Sequence, residues 1–528
     1  MRFSIPTVLG VLALAGTPAA WAQSFPKTFL WGTAIAGFQT EMGGAPAHDD
    51  TGSDWWAWTH DADNIAAHRV SGDQPEDGPG FYDLYAQDLR MAARRLHSNT
   101  IRLSIEWSRI FPTSTVGIDT STDLSGLDAV ADQAEVAHYR AVLEQCRRQG
   151  LVPFVTLSHF SLPSWVHDPI ATRNALAGSN PYSPPPTVPA PSGWLDPGII
   201  PEFAKFAAYV GWQFGDLVDL WAPLNEPLVV GVNGFVNVPG IISGNFPPGA
   251  FSFTGVLAVI LHEAEANAAA YDALKAWDTV DADGDGAPAV VGLVHNMVAF
   301  HPKTPGVDDT AAEHADYLFN RLYLNATILG DVDANANGTI EPEEHRADIG
   351  GRADFVGVNY YLRAVAAQSA PLGGTVIPLL DFLPTLSYQT PQNPTAPPCP
   401  SECTDFGWEI YPQGLREVLT TAGSYGLPVY ITENGIADGD DDQRPRYLVQ
   451  HLEVLAQAMA DGVADVRGYY HWSLVDNFEW SSGYYPKFGL FGFDPVTKKR
   501  IRRPTARYFG RIARKSAIPR VLLRRFGS

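Results

Sequence analysis

The 528-residue chain is 45% hydrophobic and 18% charged, a balance that suits a large buried core and excludes a disordered chain. Its formal net charge of −22 argues against nucleic acid or an anionic membrane as a partner, because both need a basic surface. Length alone suggests several domains, although an α/β barrel with insertions reaches this size as one.

The chain opens with a segment that reads as a secretory signal, residues 1–22. Arg2 supplies the positive start, Val8–Ala15 the apolar stretch, and Ala20-Trp21-Ala22 the small-residue cleavage site. The apolar stretch is too short to span a bilayer. The expectation is an exported protein, periplasmic or secreted, whose mature part is one domain, 23–528. Cysteine is scarce: Cys146 sits in an ordinary helical stretch, while Cys399 and Cys403 lie close together in a Pro-rich loop and can pair outside the cytoplasm.

Eight apolar, β-branched or aromatic runs then alternate with helical stretches. They are Phe29–Ile35, Thr100–Ile105, Val152–Leu157, Leu220–Asn225, Val290–Val294, Phe355–Asn359, Val429–Thr432 and Gly468–Trp472. Eight such units predict an α/β fold, a single (β/α)8 TIM barrel. Two Pro-rich stretches, 168–197 and 365–405, lack any periodicity and read as long βα-loop insertions near the barrel mouth. No glycine-rich phosphate or dinucleotide loop follows any strand, and no cofactor is expected for catalysis.

In a parallel barrel the carboxyl ends of the strands converge on one face. On that side stand Gln39 and Glu41 after the first run, Arg102 within the second, His159 after the third, then Asn225-Glu226, Asn359-Tyr360-Tyr361, Glu433-Asn434, and Trp472 followed by Glu479-Trp480. Carboxylates, amides and aromatic faces together are the chemistry of a sugar site. Glu226 and Glu433 end strands that lie roughly across the barrel, so their carboxyls can meet at about 5 Å, the separation for glycoside cleavage with retention. An ion pair with Arg102 would keep Glu433 ionised, and that anion would raise the pKa of Glu226.

Four motifs carry a resemblance. Phe25–Ala34, Leu224-Asn225-Glu226-Pro227, Ile431-Thr432-Glu433-Asn434-Gly435 and His471–Trp480 resemble those of glycoside hydrolase family 1. Asp54–Trp58, Val70–Asp73 and Asp405–Glu409 are closest to its archaeal-type β-glycosidase branch. The resemblance implies a retaining, exo-acting β-glycosidase that hydrolyses a terminal β-linked glucosyl or galactosyl residue of a small β-glycoside or oligosaccharide. Transfer to an acceptor other than water is the alternative. It further implies Glu433 as nucleophile, Glu226 as acid/base, Asn225 on the 2-hydroxyl, and Arg102 and Tyr361 orienting the nucleophile. Gln39, His159, Glu479 and Trp480 would bind the outer hydroxyls over a floor of Trp472. Glu479 stands where phosphoglycosidases of the family carry Ser, and Glu226 stands where its plant thioglucosidases carry Gln. Phe160 departs from the family's usual Trp.

A last signal stands apart. Asp333, Asn335, Asn337 and Glu344 fall at positions 1, 3, 5 and 12 of a loop with Gly338 at position 6, the pattern of an EF-hand-like calcium loop. A structural calcium is the expectation there. Asp281–Gly286 begins the same way but meets Gly292 at position 12 and reads as a solvated turn.

Overall fold

The computed structural model describes residues 23–189, 191–238, 242–284 and 286–528. The signal-like segment 1–22 lies outside the described residues. Nine strands form the barrel wall: β1 (Leu30–Ala34), β2 (Thr100–Ser104), β3 (Val152–Ser158), β4 (Leu220–Leu224), β5 (Val290–Val291), β6 (Leu293–Pro302), β7 (Val356–Gln368), β8 (Val429–Asn434) and β9 (Val466–Trp472). Each pairs in parallel with the next, save β5 with β6, and β9 closes the ring on β1.

β5 and β6 are two pieces of one stave, so the barrel has the eight staves the sequence predicts. β5 pairs with β4, β6 pairs with β7, and Gly292 between them donates its N–H to the Trp221 carbonyl at 3.0 Å. Only a glycine fits at that break: a Cβ on Gly292 would sit 2.5 Å from the Phe355 ring. That ring belongs to the barrel core, where Phe154, Phe355, Tyr430 and Tyr470 meet edge to face at 5.0–5.6 Å between neighbouring centroids.

The fifth and sixth staves run farther than predicted, to Pro302 and Gln368 instead of ending at Val294 and Asn359. Past the mouth they continue as a parallel pair that Phe382–Thr385 extends with an antiparallel strand. The second insertion is therefore partly sheet. Ala364 and Ala366 are buried along this extension, whereas Arg363, Val365 and Ala367 are half-buried, and the resulting alternation is that of a half-exposed sheet. The first insertion includes a helix, Pro169–Leu176, capped by the Asp168 carboxylate.

Helices cover the wall. α1 (Gln133–Gln149) starts on an Asp132 cap and stops at Gly150 in a left-handed turn, the two usual helix boundaries. α2 (Pro227–Phe235) follows β4 directly, with Pro227 in its first turn, and α3 (Phe253–Trp277) packs behind it. Among the described residues no helix is long and apolar enough to cross a membrane. Cys399 and Cys403 are joined by a disulfide, and Cys146 is a buried free thiol in α1.

The tight Gly292 break makes a direct prediction. Gly292→Ala should lower stability by about 1–3 kcal/mol through overpacking against Phe355. Thermal unfolding would show a lower midpoint, and an unchanged midpoint would mean that the break tolerates a methyl group.

Candidate active site

Arg102 stands at the centre of the barrel mouth. Its guanidinium lies over the Phe154 ring at 5.7 Å and is 1% exposed. Each of its nitrogens has its own acceptor: Nε donates to Thr156 Oγ1 at 3.1 Å, Nη1 to Glu433 Oε1 at 2.5 Å and Nη2 to Asn225 Oδ1 at 2.7 Å. A buried cation of this kind is stable only when its hydrogen bonds are complete and a counter-ion is present.

Glu433 reaches that position through a β-bulge. The pairing of β8 slips by one residue on both sides between Ile431 and Asn434. Strict alternation would send Thr432 inward and Glu433 outward. The extra residue lets both face the barrel axis. Thr432 then donates to Asn359 Oδ1 at 2.7 Å, while Glu433 accepts from Arg102 and, at 2.6 Å, from the Tyr361 hydroxyl. A second slip, between Met297 and Ala299 of β6, places an extra residue in β7 just after Tyr360.

Glu226 arrives differently. Asn225 donates its backbone N–H to Ser158 and still pairs with the wall, but Glu226 turns into the left-handed region at φ 47° before α2 begins. Phe160 at φ 73° and Trp480 at φ 49° share that uncommon conformation and the same cavity. Strained backbone gathered at one place is characteristic of functional sites.

A chain of hydrogen bonds links the two carboxyls. Asn359, the register partner of Glu433 on the neighbouring strand, donates from Nδ2 to Glu226 Oε1 at 2.7 Å and to Asn225 Oδ1 at 3.2 Å, and Asn225 in turn shares Arg102 with Glu433. Asn296 adds a second N–H to the same oxygen of Glu226 at 3.2 Å. Burial pushes the Glu226 carboxyl up to about 8, with repulsion from Glu433 next. Burial also raises Glu433, but Arg102 and the Tyr361 hydroxyl oppose the rise by stabilising its anion. Glu226 has only neutral amide donors, so the proton of the pair resides on Glu226, and its Oε2 is the oxygen left to carry it.

His159, Trp472, Glu479 and Trp480 line the same cavity, about 350 Å³ in volume, and Gln39 lies behind them against Glu479. His159 Nε2 accepts from Asn225 Nδ2 at 3.2 Å, which leaves the proton on Nδ1, an atom with no partner in the protein. Burial, reinforced by Arg102, holds this imidazole neutral, well below its usual range. Gln39 donates to the Phe478 carbonyl at 2.9 Å and keeps Oε1 unpartnered. Trp480 stacks between His159 and Phe38, and Trp472 stacks on the other side of His159 at 5.7 Å. Burial and the two other carboxylates push Glu479 up to about 8, although Gln39 and Trp472 donate to it. All ten residues predicted for catalysis and sugar binding therefore converge.

Sequence reasoning passed over Asn359 and Asn296 as site residues. Asn359 is two residues before Tyr361, and on a strand that spacing means the same face. Asn296 lies beyond the predicted end of its strand, so the sequence offered no comparable signal. Phe160 keeps the apolar wall, packing against Phe246 and Trp480 with centroids 5.3 and 5.1 Å away.

The calcium-type loop lies elsewhere. Its two ends are clasped by the Val332 N–H bonding the Glu344 carbonyl at 2.9 Å. Asp333 accepts from the N–H groups of Asn337 and Gly338 and from the Tyr317 hydroxyl. Glu344 accepts from the N–H groups of Ala334 and Glu341, and Asn337 accepts from that of Thr339.

Comparison with known proteins agrees with this geometry. The profile of glycosyl hydrolase family 1 matches residues 21–173 and 182–518. The chain is 40% identical over 505 residues to a β-galactosidase of Pyrococcus woesei, covering 91% of this chain and 94% of that protein. It is 37% identical over 515 residues to a β-galactosidase of Saccharolobus solfataricus, covering 94% and 96%. Among solved structures it resembles the β-glycosidase of Thermosphaera aggregans, with a TM-score of 0.79 and 34% identity over 95% of this chain and 99% of that one. The β-glucosidase of Pyrococcus furiosus gives a TM-score of 0.79 and 35% identity over 94% and 98%. A barrel whose mouth holds two buried glutamates, one paired with an arginine and one with amides, among sugar-type side chains thus has its place: the chain belongs to glycosyl hydrolase family 1.

Proposed function

We propose that the protein is a retaining, exo-acting β-glycosidase that hydrolyses a terminal non-reducing β-linked glucosyl or galactosyl residue. The observation that carries this reading is the hydrogen-bonded chain from Glu433 through Arg102, Asn225 and Asn359 to Glu226, which gathers both carboxyls at one buried cavity. Retaining enzymes hold such a pair about 5 Å apart, whereas an inverting pair stands roughly 6.5–9.5 Å apart to admit a water.

In this reading Glu433 Oε2 or Oε1 attacks the anomeric carbon as the glycosidic C–O bond breaks, and Glu226 delivers its proton to the departing oxygen. A glycosyl-enzyme ester results. Glu226, now a carboxylate, takes a proton from water, which displaces Glu433 and releases the sugar with its original anomeric configuration. Arg102 and Tyr361 hold Glu433 as an anion before attack. Asn225, fixed by Arg102, Asn359 and His159, faces the 2-hydroxyl. His159 Nδ1–H and Gln39 Oε1 offer a donor and an acceptor to outer hydroxyls, beside Glu479 and the Trp472 and Trp480 faces. Relatives named as β-galactosidases and β-glucosidases favour water over another acceptor at the second step.

Residues 1–22 and the Cys399–Cys403 disulfide support export, since disulfides persist outside the reducing cytoplasm. The 333–344 loop we assign to a structural calcium. It is closed at both ends, and its carboxylates keep unused lone pairs beyond those taken by N–H groups.

Two tests follow from these assignments. On 4-nitrophenyl β-glycosides, Glu433→Gln should lose roughly 10⁴-fold or more in kcat. Glu226→Ala should lose about 10²–10⁴-fold on substrates with poor leaving groups and much less on activated ones. The alkaline limb of wild-type kcat/KM should fall near pH 8, as Glu226 loses its proton, and should vanish in Glu226→Ala. Full activity in Glu433→Gln would overturn the assignment of the nucleophile. For the loop, chelation with EGTA should lower the melting temperature and added calcium should restore it, whereas an unchanged melt would rule out a structural ion.

A further inference from the structure

The leaving-group side of the active-site cavity is mostly apolar. Among the described residues no charged side chain lines it besides Glu226, Glu433 and Glu479, and its outer walls set Val229, Val232, Met297, Phe319 and Leu362 beside the neutral amides of Asn233 and Asn296. Val232 sits on α2, one and a half turns after Glu226, and Phe319 sits in a wide π-helical turn, Tyr317–Arg321, whose carbonyl at Phe319 accepts from His295 Nε2 at 2.8 Å.

Val232 and Phe319 are also walls of a second cavity, about 80 Å³, lined entirely by apolar side chains. α2 contributes Leu228 to it, α3 contributes Ile260, and the second insertion contributes Leu372, Ile377 and Leu380. The insertion is held there from the other side, where the Tyr182 hydroxyl of the first insertion donates to the Leu372 carbonyl at 3.1 Å. An apolar cavity cannot satisfy water, and it gains free energy from any apolar group that enters. Val232 and Phe319 are thus the partition between the two cavities, and a chain that displaces these two side chains enters from the side of the acid/base, where the leaving group of a bound glycoside departs.

We propose that this second cavity is a tail site, and that it takes the alkyl chain of an alkyl β-glycoside whose sugar occupies the main cavity. The inference rests on the glycosidase reading above and names a class of aglycone for it. The reaction is unchanged in balance: Glu226 protonates the glycosidic oxygen, and the alcohol leaves with its chain in the cavity.

The test is a homologous series of ethyl, butyl, hexyl and octyl β-D-glucosides, used below their micellar concentrations with the full-length protein. The expected kcat/KM rises about twofold to fourfold per added methylene until the cavity is full, and then levels. Leu380→Trp, which fills the cavity, and Leu372→Glu, which places a charge at its wall, should flatten the series while leaving ethyl glucoside within twofold of wild type. Both positions are half-buried on the insertion and outside the barrel core, and either variant suffices if the other does not fold. 1-Octanol should also inhibit hydrolysis of ethyl glucoside in wild type and far less in either variant. A flat series in wild type, or a steep series unchanged in both variants, overturns the tail site while leaving the glycosidase intact. Failure to hydrolyse any member, and 4-nitrophenyl β-glucoside as well, overturns the glycosidase reading beneath it.

Discussion

The ion pair between Arg102 and Glu433 is the interaction on which the site depends. A guanidinium buried in a barrel is costly unless it is paired and hydrogen-bonded, and here each of its nitrogens has an acceptor, Thr156, Glu433 and Asn225 in turn. The same three bonds do three jobs. They hold Glu433 as an anion, they fix Asn225 toward the cavity, and they anchor the amide network that ends at Glu226. Replacing Arg102 by Lys would keep the charge and lose the fork, and with it the connection between the two glutamates.

The carboxyls are otherwise alike, so their division of labour comes from their donors. Glu433 faces a cation and a hydroxyl, both of which stabilise charge. Glu226 faces the amides of Asn359 and Asn296, which do so only weakly, in a buried setting that favours the neutral acid. The backbone enforces this asymmetry. A bulge aims Glu433 at the axis, while Glu226 takes a left-handed turn between a strand and a helix. Glu479 brings a third carboxyl to the same buried space, and this crowding reinforces the need for a proton on Glu226.

Much of this was legible in the chain. The eight staves appear as apolar runs because a parallel sheet under helices buries both faces, and the site residues appear where those runs stop. Strand ends were less legible. β6 and β7 continue past the mouth as a half-exposed sheet, whose pattern of Arg363, Ala364, Val365 and Ala366 is too short and mixed to read without its partner strand. The two bulges were invisible as well, because a one-residue slip leaves no mark in composition and shows only when a neighbouring strand fixes the register. That is also why Asn359 was seen beside Tyr361 yet not placed between the two glutamates.

The central claim is that Glu433 forms the covalent bond while Glu226 handles the proton. A slow 2-fluoroglycosyl substrate, which destabilises the charged transition state and lets the ester accumulate, tests it directly. Peptide mass mapping after inactivation should find one glycosyl adduct on the peptide carrying Tyr430–Gly435, at Glu433. An adduct on Glu226 or Glu479, or turnover with inversion and no adduct, would contradict the account.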